Sequence, residues 1–283
     1  MISAAVRPRG PFSLRLSARL VGDATRSRAD GPLTTALAVG GVGRAWQQAD
    51  GTVQLRAPDE RGIDELRFVL GLDDDHSEFL ERFRLDPLLR RALPHLRGLR
   101  PVRLSTVTHS LLRAVCGQLI TASRAREIER RVIRAATPRL PGTHLHAPPT
   151  PATFVRFAPA ELRRLGLGAR RGATLVRLSR SMDLERLRAL PTAAAAQRLE
   201  RERGLGPWSV GVVCLEGLGR FERGLVGDLG LIKLCSALWG RWVEGWETAE
   251  LLEPYGEWAG LAGVYLLAAS RLGLVPLPER SAA

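Results

Sequence analysis

The apolar residues of this chain change their period once, near residue 60, and that single change constrains the fold more than any motif does. From Phe12 to Leu20 apolar and polar residues alternate (Phe12, Leu14, Leu16, Ala18, Leu20 against Ser13, Arg15, Ser17, Arg19), which predicts a half-buried strand. Leu33 to Val39 and Trp46 to Leu55 are weaker strand candidates. In the second, Ala49-Asp50-Gly51 reads as a hairpin turn, after which Val53 and Leu55 share one face. From Gly62 onward the spacing is helical, through Ile63, Leu66, Val69 and Leu70, then Phe79, Leu80 and Phe83, then Leu85, Leu88, Leu89 and Ala92. Gly98-Leu99-Arg100-Pro101 interrupts the series and sets the expected boundary between an N-terminal α+β domain (1–100) and a helical core (101–283). Beyond it Leu111 to Ile120 and Ile128 to Ala136 read as amphipathic helices, a proline-rich loop at 138–151 ends them, and Ala160 to Leu165, Ala173 to Ser181 and Ala193 to Glu202 read as further helices. Strands first and helices after give an α+β class, mainly α, with a small antiparallel sheet at the N-terminal end.

Charge narrows the partner. The 42 basic and 29 acidic residues give +13, distributed as 16 against 13 over residues 1–100, 18 against 6 over 101–200 and 8 against 10 over 201–283. A middle third at +12 suits an anionic partner, and a phosphate backbone is the usual one for such a chain. An anionic membrane surface or an arginine-rich composition without function are the alternatives, and Lys233 being the only lysine shows how strong the arginine bias is. The longest apolar run, Leu261 to Ala269, is about half a membrane span. Arg7, Arg9, Arg15 and Arg19 interrupt any secretory signal, so a cytoplasmic protein is expected. Cys116, Cys214 and Cys235 are too far apart for a four-thiolate metal or iron–sulfur site and read as buried apolar residues.

Two segments carry candidate chemistry. Gly166-Leu167-Gly168-Ala169-Arg170-Arg171-Gly172 has glycines spaced as in a dinucleotide loop, but it follows a helix rather than a strand and reads as a helix stop. In 199–210, LERERGLGPWSV, a helix is followed by a Gly204-Leu205-Gly206 turn and a helix opened by Pro207. Such a hairpin lets the backbone approach a partner closely and turns amide N–H groups toward an anion, although a plain helical hairpin has the same outline. Twenty-one residues beyond the proline, Asp228 stands alone between apolar runs. It is either a helix N-cap or a carboxylate poised to stabilise positive charge in a dry cleft.

Together, in this order and spacing, these segments resemble the helix-hairpin-helix superfamily of DNA glycosylases, particularly its bacterial 3-methyladenine DNA glycosylase II branch. The likeness runs from about 12 to 275 through 71–101, SLLRAVCGQLITASRAREIE at 110–129, 148–182 and DLERLRALP at 183–191. It implies a monomeric, monofunctional enzyme that flips alkylated bases out of damaged double-stranded DNA and hydrolyses the N-glycosidic bond for base excision repair. By the same likeness Asp228 is the catalytic aspartate and Trp208, Val212, Leu229, Tyr265 and Leu267 line the base pocket. Gly204, Leu205 and Gly206 hold a DNA phosphate, Gln118 and Leu119 enter the duplex at the flipped nucleotide, and Trp208 also faces DNA. Core packing is the alternative for Leu119 and Trp208. The backbone carbonyls of Glu202 and Leu205 would hold a monovalent cation; no other cofactor and no iron–sulfur cluster is implied, and no membrane. Relatives that also cut the strand carry a lysine nucleophile where Trp208 stands here, and Lys233 does not match that position. The rival readings are a glycosylase for deaminated or oxidised bases and a non-catalytic duplex-binding protein.

Overall fold

In the computed structural model, residues 1–277 are described except Leu20, Ala29 and Asp30. Five strands, β1 (Ile2–Val6), β2 (Arg26–Ser27), β3 (Leu33–Ala36), β4 (Val42–Gln47) and β5 (Val53–Ala57), form one antiparallel sheet in the order β1-β5-β4-β3-β2. The expected hairpin joins β4 to β5, with Gly51 at φ +88° and the Asp50 carboxylate accepting the Thr52 N–H at 2.9 Å. Val53 and Leu55 face inward and are fully buried, as their alternation predicts.

The expected strand over Phe12–Leu20 is not one. Ser13 accepts the Leu16 N–H with its hydroxyl and caps a four-residue helix, α1 (Leu14–Ser17), so that Leu14 and Ala18, four apart, are the buried pair. A serine that bonds its own following backbone offers the chain a turn in place of a ladder. Leu20 lies outside the described residues. The outer strand is instead β1, which pairs with β5.

Helix α2 (Glu60–Leu70) is capped by Asp59, whose side chain accepts the Gly62 N–H at 2.9 Å, and ends at Gly71 in the left-handed region. It lays Ile63, Leu66 and Leu70 on the sheet, and a first core forms there with Leu33, Leu37 and Leu55. The other helices are α3 (Ser77–Arg82), α4 (Leu93–Leu96), α5 (Val107–Gly117), α6 (Ala122–Ala136), α7 (Pro151–Val155), α8 (Pro159–Arg164), α9 (Ala169–Ser181), α10 (Thr192–Glu200), α11 (Pro207–Val212), α12 (Leu229–Trp239), α13 (Thr248–Leu252) and α14 (Ala259–Arg271). Helix α11 runs on as a π-helical turn, Val213–Leu218. These helices share a second, larger core, and Phe79, Phe83, Leu89, Leu93 and Leu96 pack in it although they precede residue 100. Helix α5 is its axis, buried from Val107 to Cys116 and packed by α6, α9 and α11. No described helix is long and apolar enough to cross a membrane.

Charge is spent inside the fold as well as outside it. Arg113 on α5 reaches Asp23 at 2.7 Å, Glu129 on α6 at 2.8 Å and Glu216 at 2.5 Å, while Arg26 pairs with Asp23 at 2.7 Å and His109 meets Glu129 at 2.8 Å. Burial opposes ionisation of Glu129, but the Arg113 guanidinium and His109 overcome it and hold its carboxyl at about 2. Arg100 is buried at the expected boundary and donates to the carbonyls of Arg9, Pro11 and Gly71.

Buried His76 lies edge-on to Phe221 at 4.9 Å, and neither ring nitrogen has a hydrogen-bond partner. Burial, then Arg100 and Arg103, depresses its pKa to about 3. A neutral buried histidine stabilises the fold fully above its unfolded pKa near 6.5. That contribution falls as pH drops from there toward 3, by up to about 1.4 kcal/mol per unit. Urea midpoints of His76→Phe between pH 7 and 4 are therefore expected to show a shallower decline than wild type; parallel curves would refute the assignment.

Candidate functional site

The site is built where α5, the 201–206 turn and α12 converge. Helix α10 ends at Glu200, and Gly204 takes φ +93°, a conformation that L side chains rarely adopt. Its φ is one constraint and its neighbour is another, because a Cβ there would overlap the Thr174 hydroxyl. Gly206 has ordinary φ and nothing near its Cβ position, so that face of the turn is open. Leu205 is buried and anchors the turn in the helical core. Pro207 then opens α11, whose first-turn N–H groups lack intrahelical acceptors.

Trp208, on that first turn, is half-buried. Its ring lies against Gly117 so closely that a Cβ at 117 would overlap it, and its indole N–H donates to Asp228 Oδ2 at 3.0 Å. Asp228 is also the N-cap of α12, its Oδ1 accepting the Gly230 N–H at 2.8 Å and, at 3.4 Å, that of Leu231. Both oxygens are thus fixed, one by a helix N-terminus and the other by an indole. The capping reading holds, and it is compatible with the functional one. A half-buried carboxylate oriented in this way can act on positive charge developing beside it.

At the C-terminal end of α5, Gln118 donates from Nε2 to the Gly204 carbonyl at 2.8 Å and to Ser209 Oγ at 3.0 Å. The next residue, Leu119, is 89% exposed at φ +55°, the one non-glycine residue at positive φ among those described. Core packing, the alternative for Leu119, is excluded. A left-handed leucine costs about 1–2 kcal/mol and gains no burial here, and strain of this kind collects at functional positions. Leu119→Asn, which tolerates the left-handed region, is expected to raise stability by roughly 0.5–1 kcal/mol while weakening function. A loss of stability in thermal unfolding would refute the strain.

The other pocket candidates divide. Leu267 on α14 lies over Gly230 beside the Asp228 cap, and Leu229 is exposed there. Val212 is buried in the helical core. Tyr265 does not line the site: it is fully buried, stacks edge-on to Phe79 at 5.0 Å and donates its hydroxyl to the Leu99 carbonyl at 3.0 Å. Two positions from Leu267, it falls on the opposite face of α14. Burial also raises its pKa. The Glu202 carbonyl accepts the Leu205 N–H at 3.1 Å and keeps one lone pair, so with the Leu205 carbonyl it can still serve a monovalent cation. Arg177 pairs with the Glu202 carboxylate and donates to the Arg203 carbonyl at 2.8 Å, bringing fixed positive charge to the same turn. Lys233 is exposed on α12, five residues and about 140° around the helix from Asp228.

The sequence reading missed the loop after α12. Gly227 donates its N–H to Thr248 Oγ1 at 2.8 Å, and a Cβ on Gly245 would stand 3.4 Å from Gly227 Cα, so residues 243–248 abut the site. Trp242 and Trp246 stand out of that loop, 71% and 69% exposed. Two tryptophans within the short glycine-flanked stretch GRWVEGWE were the available signal.

No family model matches the chain. Over 205 residues it is 26% identical to a DNA-3-methyladenine glycosylase of Bacillus subtilis, covering 69% of this chain and 67% of that one. A 3-methyladenine DNA glycosylase from Archaeoglobus fulgidus superposes with TM-score 0.81 at 18% identity, over 96% of this chain and 99% of its own. An 8-oxoguanine glycosylase/lyase of Clostridium acetobutylicum, solved with double-stranded DNA, gives TM-score 0.78 at 17% identity over 97% and 99%.

Proposed function

We propose that the chain is a helix-hairpin-helix DNA glycosylase, and a monofunctional one that releases alkylated bases from duplex DNA. The observation that carries the reading is the Asp228 carboxylate, fixed between the N-terminus of α12 and the Trp208 indole, whose ring packs on Gly117 two residues before the exposed, strained Leu119. Leu119 enters the duplex and takes the space of an everted nucleotide, and Gln118 ties it to the turn whose open Gly206 face receives a phosphate. A base alkylated on a ring nitrogen is already cationic and leaves without further protonation. Asp228 stabilises the oxocarbenium-like sugar electrostatically as the bond lengthens, and water completes the hydrolysis. A monovalent cation on the Glu202 and Leu205 carbonyls supplies positive charge beside the bound phosphate.

Solved relatives act on both alkylated and oxidised bases by their names, so the substrate class rests on the residues of this site. The indole of Trp208 stands where a lyase would carry its lysine, and it offers no amine for an imine with the sugar. Borohydride is therefore expected to trap no covalent adduct with DNA holding a cationic lesion, and the strand to break only after alkali. An adduct lost in Lys233→Ala would overturn the monofunctional reading. Affinity for undamaged duplex is expected to fall with salt at a log–log slope of about −0.9 per neutralised phosphate, and a flat response would remove DNA as the partner.

A further inference from the structure

An electron-poor base is held best on an aromatic face, and the site as described offers little of one. Trp208 presents its edge to Asp228 and backs onto Gly117, Tyr265 is buried away from the site, and Leu229 and Leu267 are aliphatic. The adjoining loop has the missing surface. Fully buried Val243, whose N–H donates to Ser236 Oγ at 3.2 Å, pins one side of Trp246. Thr248 pins the other, donating its hydroxyl to the Gly245 carbonyl at 2.7 Å while accepting the Gly227 N–H. The indole is thus held out into water by a clamp fastened to the residue preceding Asp228. An exposed tryptophan on a fixed loop has its ordering cost met before a ligand arrives.

We propose that Trp246 is the aromatic face on which a base everted toward Asp228 stacks, and so a specificity-determining residue for cationic bases. The inference rests on the glycosylase reading above. Its test is single-turnover release of base from duplex DNA methylated on ring nitrogens, measured beside duplex affinity and melting temperature, for wild type, Trp246→Phe and Trp246→Ala. For Trp246→Ala the release rate is expected to fall about 3- to 30-fold, with affinity for undamaged duplex and melting temperature unchanged, and Trp246→Phe to recover most of the rate. Release that is unaffected in Trp246→Ala, or lost only in proportion to duplex affinity, overturns the inference and leaves the glycosylase reading standing. A wild-type chain that releases no base overturns both.

Discussion

Asp228→Asn is expected to lower base release by at least about 10²- to 10³-fold while leaving duplex binding and folding nearly intact. Asparagine caps a helix as well as aspartate does, and its amide oxygen can still accept the Gly230 N–H that Oδ1 accepts now. What it loses is the negative charge and, because its amide nitrogen cannot accept, the hydrogen bond that Oδ2 takes from the Trp208 indole. Stability within about 1 kcal/mol of wild type, together with lost excision, assigns the charge to chemistry. Retained excision with a lowered melting temperature would make Asp228 a cap and nothing more.

The second large effect lies away from the site. Arg113→Met removes the guanidinium that Asp23, Glu129 and Glu216 share inside the protein, leaving buried carboxylates without their common partner. A loss of about 3–5 kcal/mol is expected from urea unfolding at neutral pH, and a change below about 1 kcal/mol would contradict it. The wild-type cluster also sets an acid limit. With the Glu129 carboxyl held at about 2, its stabilisation is complete above its unfolded value near 4.5 and is lost as pH falls toward 2. Glu129 bonds His109 and Arg113 on α5, the helix that ends at Gln118 and Leu119, so acid unfolding and loss of base release are expected to coincide.

How far the sequence could be read depended on whether the deciding interaction was local. The β4–β5 hairpin was legible because an Asp50-Gly51 turn and the Val53/Leu55 alternation act within a few residues. Helices α5, α6 and α9 were legible by period. At Phe12–Leu20 two local signals competed, and the Ser13 cap with the Leu14/Ala18 spacing prevailed over alternation. The turn and Asp228 could be singled out by residue type and spacing, but their hydrogen bond through Trp208 spans twenty residues and belongs to the fold. Tyr265 and Leu267 show the same limit from the other side. Both lie on α14, and only its packing decides that the leucine meets Gly230 and the tyrosine meets Phe79. The +12 of residues 101–200 was likewise legible as a sum but not by residue. Arg103 and Arg113 are buried, and Arg188 lies 4.2 Å from the Phe68 ring centroid and donates to the Gly217 and Leu104 carbonyls. None of these three is free to meet a phosphate.

The most direct measurement is chromatography of the free bases released when the full chain acts on duplex DNA methylated on ring nitrogens. The account predicts that methylated purines appear in the soluble fraction, that an equal number of abasic sites is left in otherwise unbroken strands, and that Asp228→Asn releases none above the uncatalysed rate. Duplex bound with ordinary affinity but no base released, or base released equally by Asp228→Asn, would contradict it.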